Sequence, residues 1–126
     1  MAEKILIVDD QPFMVRLIQH NLERAGFELL TARNGYEAVE LAQKGLPNLV
    51  VMDVMMAEMD GLKALAELKK LESTRAIPVI LITAKGQTLT RQQAESSGAA
   101  LLLSKPFSPT QLLAEIRRLL AAHAAP

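Results

Sequence analysis

Three aspartates, a threonine and a lysine each follow a short apolar run, and together they suggest phosphate chemistry. They are Asp9, Asp10, Asp53, Thr83 and Lys105. Carboxylates that lie close together repel one another and need a cation, and Mg²⁺ prefers oxygen ligands while leaving room for phosphate oxygens. Lysine supplies positive charge and threonine a hydroxyl donor. Such groups can position a phosphoryl group, and an aspartate can accept it as an aspartyl phosphate.

Taken one at a time, these residues have simpler interpretations. Asp10 alone would more often cap a helix beginning at Pro12 than bind a metal ion. Asp53 alone could equally cap a loop, Thr83 fits ordinary strand composition, and Lys105 alone would be a solvated surface residue. The functional interpretation depends on their joint occurrence, each at the end of its own apolar run.

The apolar runs predict the strands that would bring these residues together. They cover residues 5–8, 29–32, 49–52, 79–82 and 99–103. Most lack alternation, which is typical of parallel strands buried on both faces, and segments with helical spacing separate them. We predict an α/β fold with a five-stranded parallel sheet, doubly wound by five helices, in the flavodoxin-like strand order 2-1-3-4-5. Ligands then bind at the carboxyl strand ends, where the order reverses between strands 1 and 3.

Glycine and serine mark several helix ends. Gly26, Gly45 and Gly98 each follow a helical segment, where a residue in the left-handed conformation is favoured. Ser108 is predicted to cap the last helix. The fourth helix, predicted over Leu89 to Ser97, has few apolar residues. It is therefore either a weakly anchored helix that moves in a two-state switch or an ordinary solvated helix.

Length and composition limit the kinds of protein that this chain can be. A chain of 126 residues is about one domain, predicted over residues 1–120 with a tail or linker stump at 121–126. Acidic and basic residues are balanced at 14 each, which does not favour nucleic acid or an anionic membrane. The absence of cysteine excludes disulfides and thiolate metal sites. The apolar runs are too short for a membrane span or a signal peptide, so we expect a cytoplasmic protein.

Five short motifs carry a resemblance to a known family. They are Ile7-Val8-Asp9-Asp10, Val51-Met52-Asp53, Met59-Asp60-Gly61, Leu81-Ile82-Thr83-Ala84 and Lys105-Pro106-Phe107. Over essentially its whole length the chain resembles the response-regulator receiver domains of two-component signalling, which have a chemotaxis-regulator-like fold. All five polar residues at the ends of the apolar runs fall within these motifs.

This resemblance implies a metal site around a phosphoacceptor. Asp53 would be the phosphoacceptor. Asp10 and Asp53 would ligate Mg²⁺ together with the backbone carbonyl of Met55, and Asp9 would act largely through a metal-bound water.

The resemblance also implies a phosphoryl-binding and switching set. Thr83 would turn inward to hydrogen-bond the phosphoryl group, the backbone amide of Ala84 would assist, and Lys105 would pair with a phosphoryl oxygen. The peptide bond between Lys105 and Pro106 is expected to be cis, a form that is common only before proline. Met55 and Lys85, two residues after Asp53 and Thr83, are predicted to flank the pocket and tune the access of water.

The implied role is that of a signalling switch. The domain would take a phosphoryl group from a sensor histidine kinase or phosphotransfer protein and change between two conformations. It would then act on a downstream protein partner or on an output domain missing from this sequence. A phosphorylation-dependent homodimer through helix 4, strand 5 and helix 5 is one such output. The domain would catalyse its own phosphorylation and dephosphorylation only and would not be an enzyme acting on a metabolite.

Three positions depart from the family pattern. Ala57 stands where proline is usual, which predicts a less rigid loop after Asp53. Leu102 replaces the usual aromatic partner of Thr83, and Leu101 replaces a frequent acidic residue. Leu101 and Leu102 either contribute to the output surface or are simple core.

Two alternatives compete with the receiver interpretation. A Mg²⁺-dependent phosphohydrolase would place its nucleophile after the first strand with a second acid two residues later, where this chain has Gln11. A pseudo-receiver would keep the fold as an interaction module without phosphorylation. The complete polar set argues against a pseudo-receiver, whereas Ala57 and Leu102 keep that alternative open.

Overall fold

Five parallel strands form one sheet in the order β2-β1-β3-β4-β5, as the sequence predicts. The protein is represented by a computed structural model, which describes residues 2–84 and 89–124. The strands are β1 (Lys4–Val8), β2 (Glu28–Ala32), β3 (Leu49–Asp53), β4 (Val79–Thr83) and β5 (Leu101–Ser104). Asp53 and Thr83 are thus the last residues of their strands, which places both side chains at the carboxyl edge of the sheet.

Helices connect the strands and cover both faces of the sheet. They are α1 (Pro12–Arg24), α2 (Gly35–Gly45), α3 (Gly61–Lys70), α4 (Arg91–Ser96) and α5 (Pro109–Ala124). Residues of α1 and α5 pack on one face, and residues of α2, α3 and α4 pack on the other. Parallel strands need such crossovers, and the two faces together give the doubly wound α/β fold.

Burial on both faces explains why the strands lack alternation. In β1, Ile5 and Ile7 pack toward α1 and α5, whereas Leu6 and Val8 pack toward α2, α3 and α4. Every residue of β3 and β4 is buried. Since burying one large aliphatic side chain contributes about 1.5–3 kcal/mol, these strands are the most firmly held part of the fold. The residues at their carboxyl ends are held with them.

The fourth helix is shorter than the sequence predicts. It begins at Arg91 after a capping box, in which the Thr90 side chain accepts from the backbone N–H of Gln93 and the Gln93 side chain accepts from Thr90 N–H. This box stops the helix short of Leu89, which packs against the core from outside the helix as a partly buried residue. Ala94 is the buried residue of α4, which fits both predicted interpretations of this helix.

Two of the three predicted glycine helix ends are confirmed and one is wrong. Gly26 and Gly98 have φ values of 95° and 101°. Gly45 instead is the last residue of α2, and the left-handed residue is Leu46, at φ 44°. A Cβ on Gly45 would lie 2.6 Å from the Leu30 side chain. Glycine at position 45 gives the Leu30 side chain of β2 room against α2, and it does not make the turn.

The start of α5 is as predicted, and its end is later. Ser108 Oγ accepts a hydrogen bond of 3.0 Å from the backbone N–H of Gln111. The helix then runs to Ala124, so most of the predicted tail is helical, and the domain boundary at 120 remains a prediction. Ala125, Pro126 and Lys85 lie outside the described residues. Within the described ranges, no helix has the length and apolar character needed to cross a membrane.

Replacing Leu46 by glycine should stabilise the protein. A left-handed residue with a Cβ costs roughly 1–2 kcal/mol, and glycine's greater freedom in the unfolded chain offsets part of the gain. We therefore expect the free energy of unfolding, measured by urea titration, to rise by about 0.5–1 kcal/mol. Leu46→Ala is the matched control, since it removes the same exposed side chain but keeps the Cβ. Equal effects of the two variants would contradict this explanation.

Candidate functional site

Three carboxylates meet where the strand order reverses. Asp9 follows β1, Asp53 ends β3, and the two strands are neighbours, with Val8 paired to Met52. One carboxylate oxygen from each of Asp9, Asp10 and Asp53 lies within 4.8 Å of the others. The crevice at such a reversal is the usual ligand site of an open α/β sheet, so the predicted convergence of the three aspartates is observed.

A backbone N–H approaches each of these carboxylates. Asp9 is 2% exposed and accepts from the N–H of Gln11 at 2.9 Å. Asp53 is 5% exposed and accepts from the N–H of Met55 at 3.4 Å. The exposed Asp10 accepts from the N–H of a residue in the loop after β3, Ala57, also at 3.4 Å.

The lysine directly after β5 supplies positive charge to the two buried carboxylates. The Nζ atom of Lys105 lies 3.4 Å from Asp53 Oδ2 and 4.0 Å from Asp9 Oδ2. The backbone N–H of Lys105 donates to the carbonyl of Thr83 at 2.8 Å, which extends the pairing of β5 with β4. The Lys105–Pro106 peptide bond is cis, as predicted. The strand pairing therefore determines where this cation lies.

Thr83 and Ala84 lie one strand away from Asp53. Thr83 is buried, and its hydroxyl donates to the backbone carbonyl of Ala84 at 3.5 Å. Asp53 is paired in register with Ile82, the residue before Thr83. The hydroxyl of Thr83 and the backbone amide of Ala84 thus lie on the β4 side of Asp53, opposite the aspartates that follow β1.

Burial disfavours ionisation of the two inner carboxyls. It raises the pKa of Asp9, and repulsion from Asp53 and Asp10 adds to this, while the hydrogen bond from Gln11 and the charge of Lys105 act in the opposite direction. Burial likewise raises the pKa of Asp53, against the influence of Lys105 and Met55. One lysine does not fully offset three carboxylates, so a bound cation would relieve the remaining repulsion.

The donor set fits a hard divalent cation. Mg²⁺ binds carboxylate and carbonyl oxygens and keeps several positions for water or phosphate, and three carboxylate oxygens within 4.8 Å with one exposed side suit that preference. The exposed Met55 lies two residues after Asp53 in the adjoining loop. Asp9, Asp10, Asp53 and the backbone of Met55 are therefore the residues that could hold Mg²⁺.

The loop between β3 and α3 is fixed at its far end by two glycines. The N–H of Gly61 donates to Val54 at 2.9 Å, and a Cβ on Gly61 would clash with the carbonyl oxygen of Asp53. The N–H of Gly35 donates to the backbone carbonyl of Met59 at 3.1 Å, and a Cβ on Gly35 would lie 2.7 Å from that Met59 oxygen. Sequence reasoning missed Gly35, although Asn34-Gly35 at the start of a helix was an available signal.

Asp10 does not cap a helix, whereas Asp60 does. The N-cap of α1 is Gln11, without a side-chain capping bond in the described part of the chain, so the simpler interpretation of Asp10 as a cap is wrong. Asp60 caps α3 by accepting from Lys63 N–H at 2.9 Å. Asp10 is therefore available to the site, whereas Asp60 has a structural role.

The two leucines of β5 lie on opposite faces of the sheet. Leu101 packs against the cluster that includes α1 and α5, and Leu102 packs against the cluster that includes α4. Both are only partly buried. They contribute to the core and also keep some surface, so neither of the predicted interpretations is excluded.

The fold and the site define a receiver domain. The chain belongs to the response regulator receiver domain family, whose model matches residues 5–117. Domains of this family are signalling modules of two-component response regulators and not enzymes acting on metabolites. The family and fold predicted from the sequence are therefore confirmed.

Curated relatives are transcriptional regulators about twice as long. The chain is 36% identical over 120 residues to the alkaline phosphatase synthesis transcriptional regulatory protein PhoP of Bacillus subtilis, covering 95% of this chain and 49% of PhoP. It is 39% identical to the transcriptional regulatory protein SrrA of Staphylococcus aureus, covering 95% of this chain and 48% of SrrA. The chain thus spans about half the length of these relatives.

Solved receiver structures match over nearly the whole chain. The chemotaxis response regulator CheY4 of Vibrio cholerae has a TM-score of 0.86 and 30% identity, covering 94% of this chain and 98% of CheY4. The receiver domain of the sensor histidine kinase PA1611 of Pseudomonas aeruginosa has a TM-score of 0.87 and 26% identity, covering 96% and 99%. That domain has a magnesium ion coordinated in its active-site cleft.

Replacing Asp53 by asparagine should stabilise the metal-free protein at neutral pH, because it removes a buried charge beside Asp9. A carboxyl whose pKa is raised by folding binds a proton more readily in the folded than in the unfolded state. Lowering the pH toward that raised pKa therefore stabilises the wild type relative to the variant. Urea unfolding in EDTA should show the advantage of Asp53→Asn shrinking as the pH is lowered from neutrality toward the ordinary aspartate pKa of about 4, because the folded-state pKa is raised above that value.

Asp60→Asn is the matched control for this experiment. It neutralises a carboxylate in the same loop, and asparagine caps a helix about as well as aspartate. We expect it to give no pH-dependent gain of the same kind. An advantage of Asp53→Asn that grows as the pH falls would contradict the assigned direction of the pKa shift.

Proposed function

We propose that this chain is the phosphoacceptor domain of a two-component phosphorelay and that Asp53 receives the phosphoryl group beside Mg²⁺. The observation that carries the proposal is the cluster itself. Three carboxylates lie within 4.8 Å of one another, and Lys105 Nζ lies 3.4 Å from Asp53 Oδ2. Membership of the receiver family supports the same role.

Asp53 would act as the nucleophile. One of its carboxylate oxygens would form a bond to phosphorus while the bond to the donor's histidine nitrogen breaks, and the freed imidazole would take up a proton.

Lys105 would neutralise a phosphoryl oxygen, and the Thr83 hydroxyl and Ala84 amide would hydrogen-bond others. When bound by Asp10, Asp53 and the Met55 carbonyl, with Asp9 close by, Mg²⁺ would supply further neutralisation of phosphoryl charge. Hydrolysis by water would later return Asp53 to its free form.

A protein donor would dock beside the site, at α1 and the turn that leads into α5. An apolar groove of about 260 Å³ lies there, lined by residues that include Met14, Leu17, Pro106 and Phe107. Lys105 also lines this groove, so a protein seated in it would lie next to the phosphoacceptor. We propose a sensor histidine kinase or phosphotransfer protein as this partner and the cytoplasm as the location.

The output would be a protein contact. The chain spans about half of its transcriptional-regulator relatives, so we propose either a separate downstream protein or an output domain beyond this sequence as the recipient. Leu101 and Leu102 would form part of the output surface together with α4. No nucleic acid or membrane is proposed as a partner of this domain.

The phosphoacceptor assignment is tested by incubating the protein with Mg²⁺ and acetyl phosphate and measuring its intact mass. We expect one added phosphoryl group on the wild type and none on Asp53→Asn, since the amide cannot form an acyl phosphate. Asp60→Asn should acquire the adduct as the wild type does. Lys105→Ala should acquire it at least about tenfold more slowly, because a preorganised charge is lost.

The outcomes of this assay separate the alternatives. No adduct on the wild type would favour the pseudo-receiver. An adduct on Asp53→Asn equal to that on the wild type would mean that another residue is the acceptor. Steady release of phosphate from a panel of phosphorylated metabolites would favour a phosphohydrolase.

Dimerisation is the second property to test. We expect beryllofluoride with Mg²⁺, which mimics the phosphoryl group, to shift the wild type from monomer to dimer in gel filtration through the surface formed by α4, β5 and α5. Asp53→Asn should remain monomeric under the same conditions. If the wild type stays monomeric with the mimic bound, dimerisation is not the output, and the output is contact with a different protein.

A further inference from the structure

We propose that the backbone N–H of Ala57 is a positioning group that orients the Asp10 carboxylate for Mg²⁺. This inference rests on the metal site proposed above and assigns a role to a residue outside the liganding set. Asp10 is exposed, so its side chain has rotational freedom that the buried Asp9 and Asp53 lack. A donor that fixes one of its oxygens removes part of that freedom before a metal ion binds.

The contact is specific in its atoms. The N–H of Ala57 donates to Oδ2 of Asp10 at 3.4 Å, and the other carboxylate oxygen remains for a metal ion. Hydrogen bonds from a second layer of groups commonly orient metal-binding carboxylates and alter metal affinity when they are removed. The Ala57 amide stands in this relation to Asp10, as the Met55 amide does to Asp53.

The loop is suited to this task because its other end is fixed. It leaves β3 after Asp53, turns through Glu58 at φ 68°, and is tied to α2 by the hydrogen bond from Gly35 to Met59. These backbone contacts restrict the position of the Ala57 amide, although the loop is exposed. The amide is presented to Asp10 by backbone that is anchored on both sides.

The side chain at position 57 is not what matters in this proposal. A proline there would have no N–H to donate. The replacement of the usual proline by Ala57 thus provides a donor, and the expected loss of loop rigidity is accompanied by a new link between the loop and Asp10.

The test compares Mg²⁺ affinity across three forms of the protein by isothermal titration calorimetry. Ala57→Pro removes the N–H and should bind Mg²⁺ about three- to tenfold more weakly than the wild type. Ala57→Gly keeps the N–H and should bind within about twofold of the wild type, although glycine loosens the loop more than proline does. If loop rigidity were the cause, the order of the two variants would be reversed.

A backbone ester at position 57 is the control for a change of loop conformation caused by proline. It replaces the N–H by an oxygen, which cannot donate, and keeps the alanine side chain, and it should weaken Mg²⁺ binding as Ala57→Pro does. Melting temperatures in EDTA provide the structural readout, and those of the ester and the wild type should agree within about 2 °C because the contact is exposed. Equal Mg²⁺ affinity of the ester and the wild type would overturn the proposal.

A metal-free measurement tests the hydrogen bond itself. In ¹H–¹⁵N spectra recorded in EDTA, the Ala57 amide proton should move upfield in Asp10→Ala, as expected when a carboxylate acceptor is lost. An unchanged Ala57 resonance would overturn the positioning role. If the wild type does not bind Mg²⁺ at all, the proposed function fails, whereas equal binding by the wild type and the variants is a failure of this inference alone.

Discussion

The mutual repulsion of three carboxylates is the constraint on which the rest of the structure depends. Asp9, Asp10 and Asp53 present oxygens within 4.8 Å of one another, and two of them are buried, which disfavours their charged forms. An isolated peptide would not keep such groups together. The central strands β1, β3 and β4 do so, because their apolar packing on both faces outweighs the cost at one end of the sheet. The site is therefore a locally unfavourable arrangement supported by the core.

This constraint also explains the division of the molecule into firmly and weakly held parts. The acceptor, its neighbouring threonine and the lysine lie on or directly after strands whose backbone pairing is continuous. By contrast, α4 has six residues and one buried side chain, Ala94. Local opening is therefore expected to cost less at α4 than within the sheet. The weakly anchored helix lies beside β5, away from the carboxylates that follow β1.

Much of the fold and most of the site could be predicted from the sequence, for a physical reason. A strand buried on both faces must be continuously apolar, so the first polar residue after its apolar run marks the carboxyl edge, as at Asp9 and Asp53. Exact helix ends depend on contacts distant in sequence. Gly45 resembles a helix terminator, but its lack of a side chain accommodates Leu30 of β2, and Leu46 makes the turn instead. The amide contact between Ala57 and Asp10 spans 47 positions and involves no side chain at Ala57, so no residue pattern encodes it.

The two departures nearest the site act on different steps of the proposed switch. Ala57 lies on the metal side, where its backbone N–H meets a carboxylate, so this departure affects how the site is prepared for the phosphoryl group. Leu102 lies on the output side, where it pairs with Leu81 and packs against the cluster that contains Ala94. A leucine has no ring or hydroxyl with which to follow Thr83, so in the proposed switch communication from β4 to α4 would pass through packing of this shared cluster. Since α4 contributes a single buried residue, Ala94, to it, few contacts hold that helix in place. Such coupling through packing requires no aromatic residue at position 102.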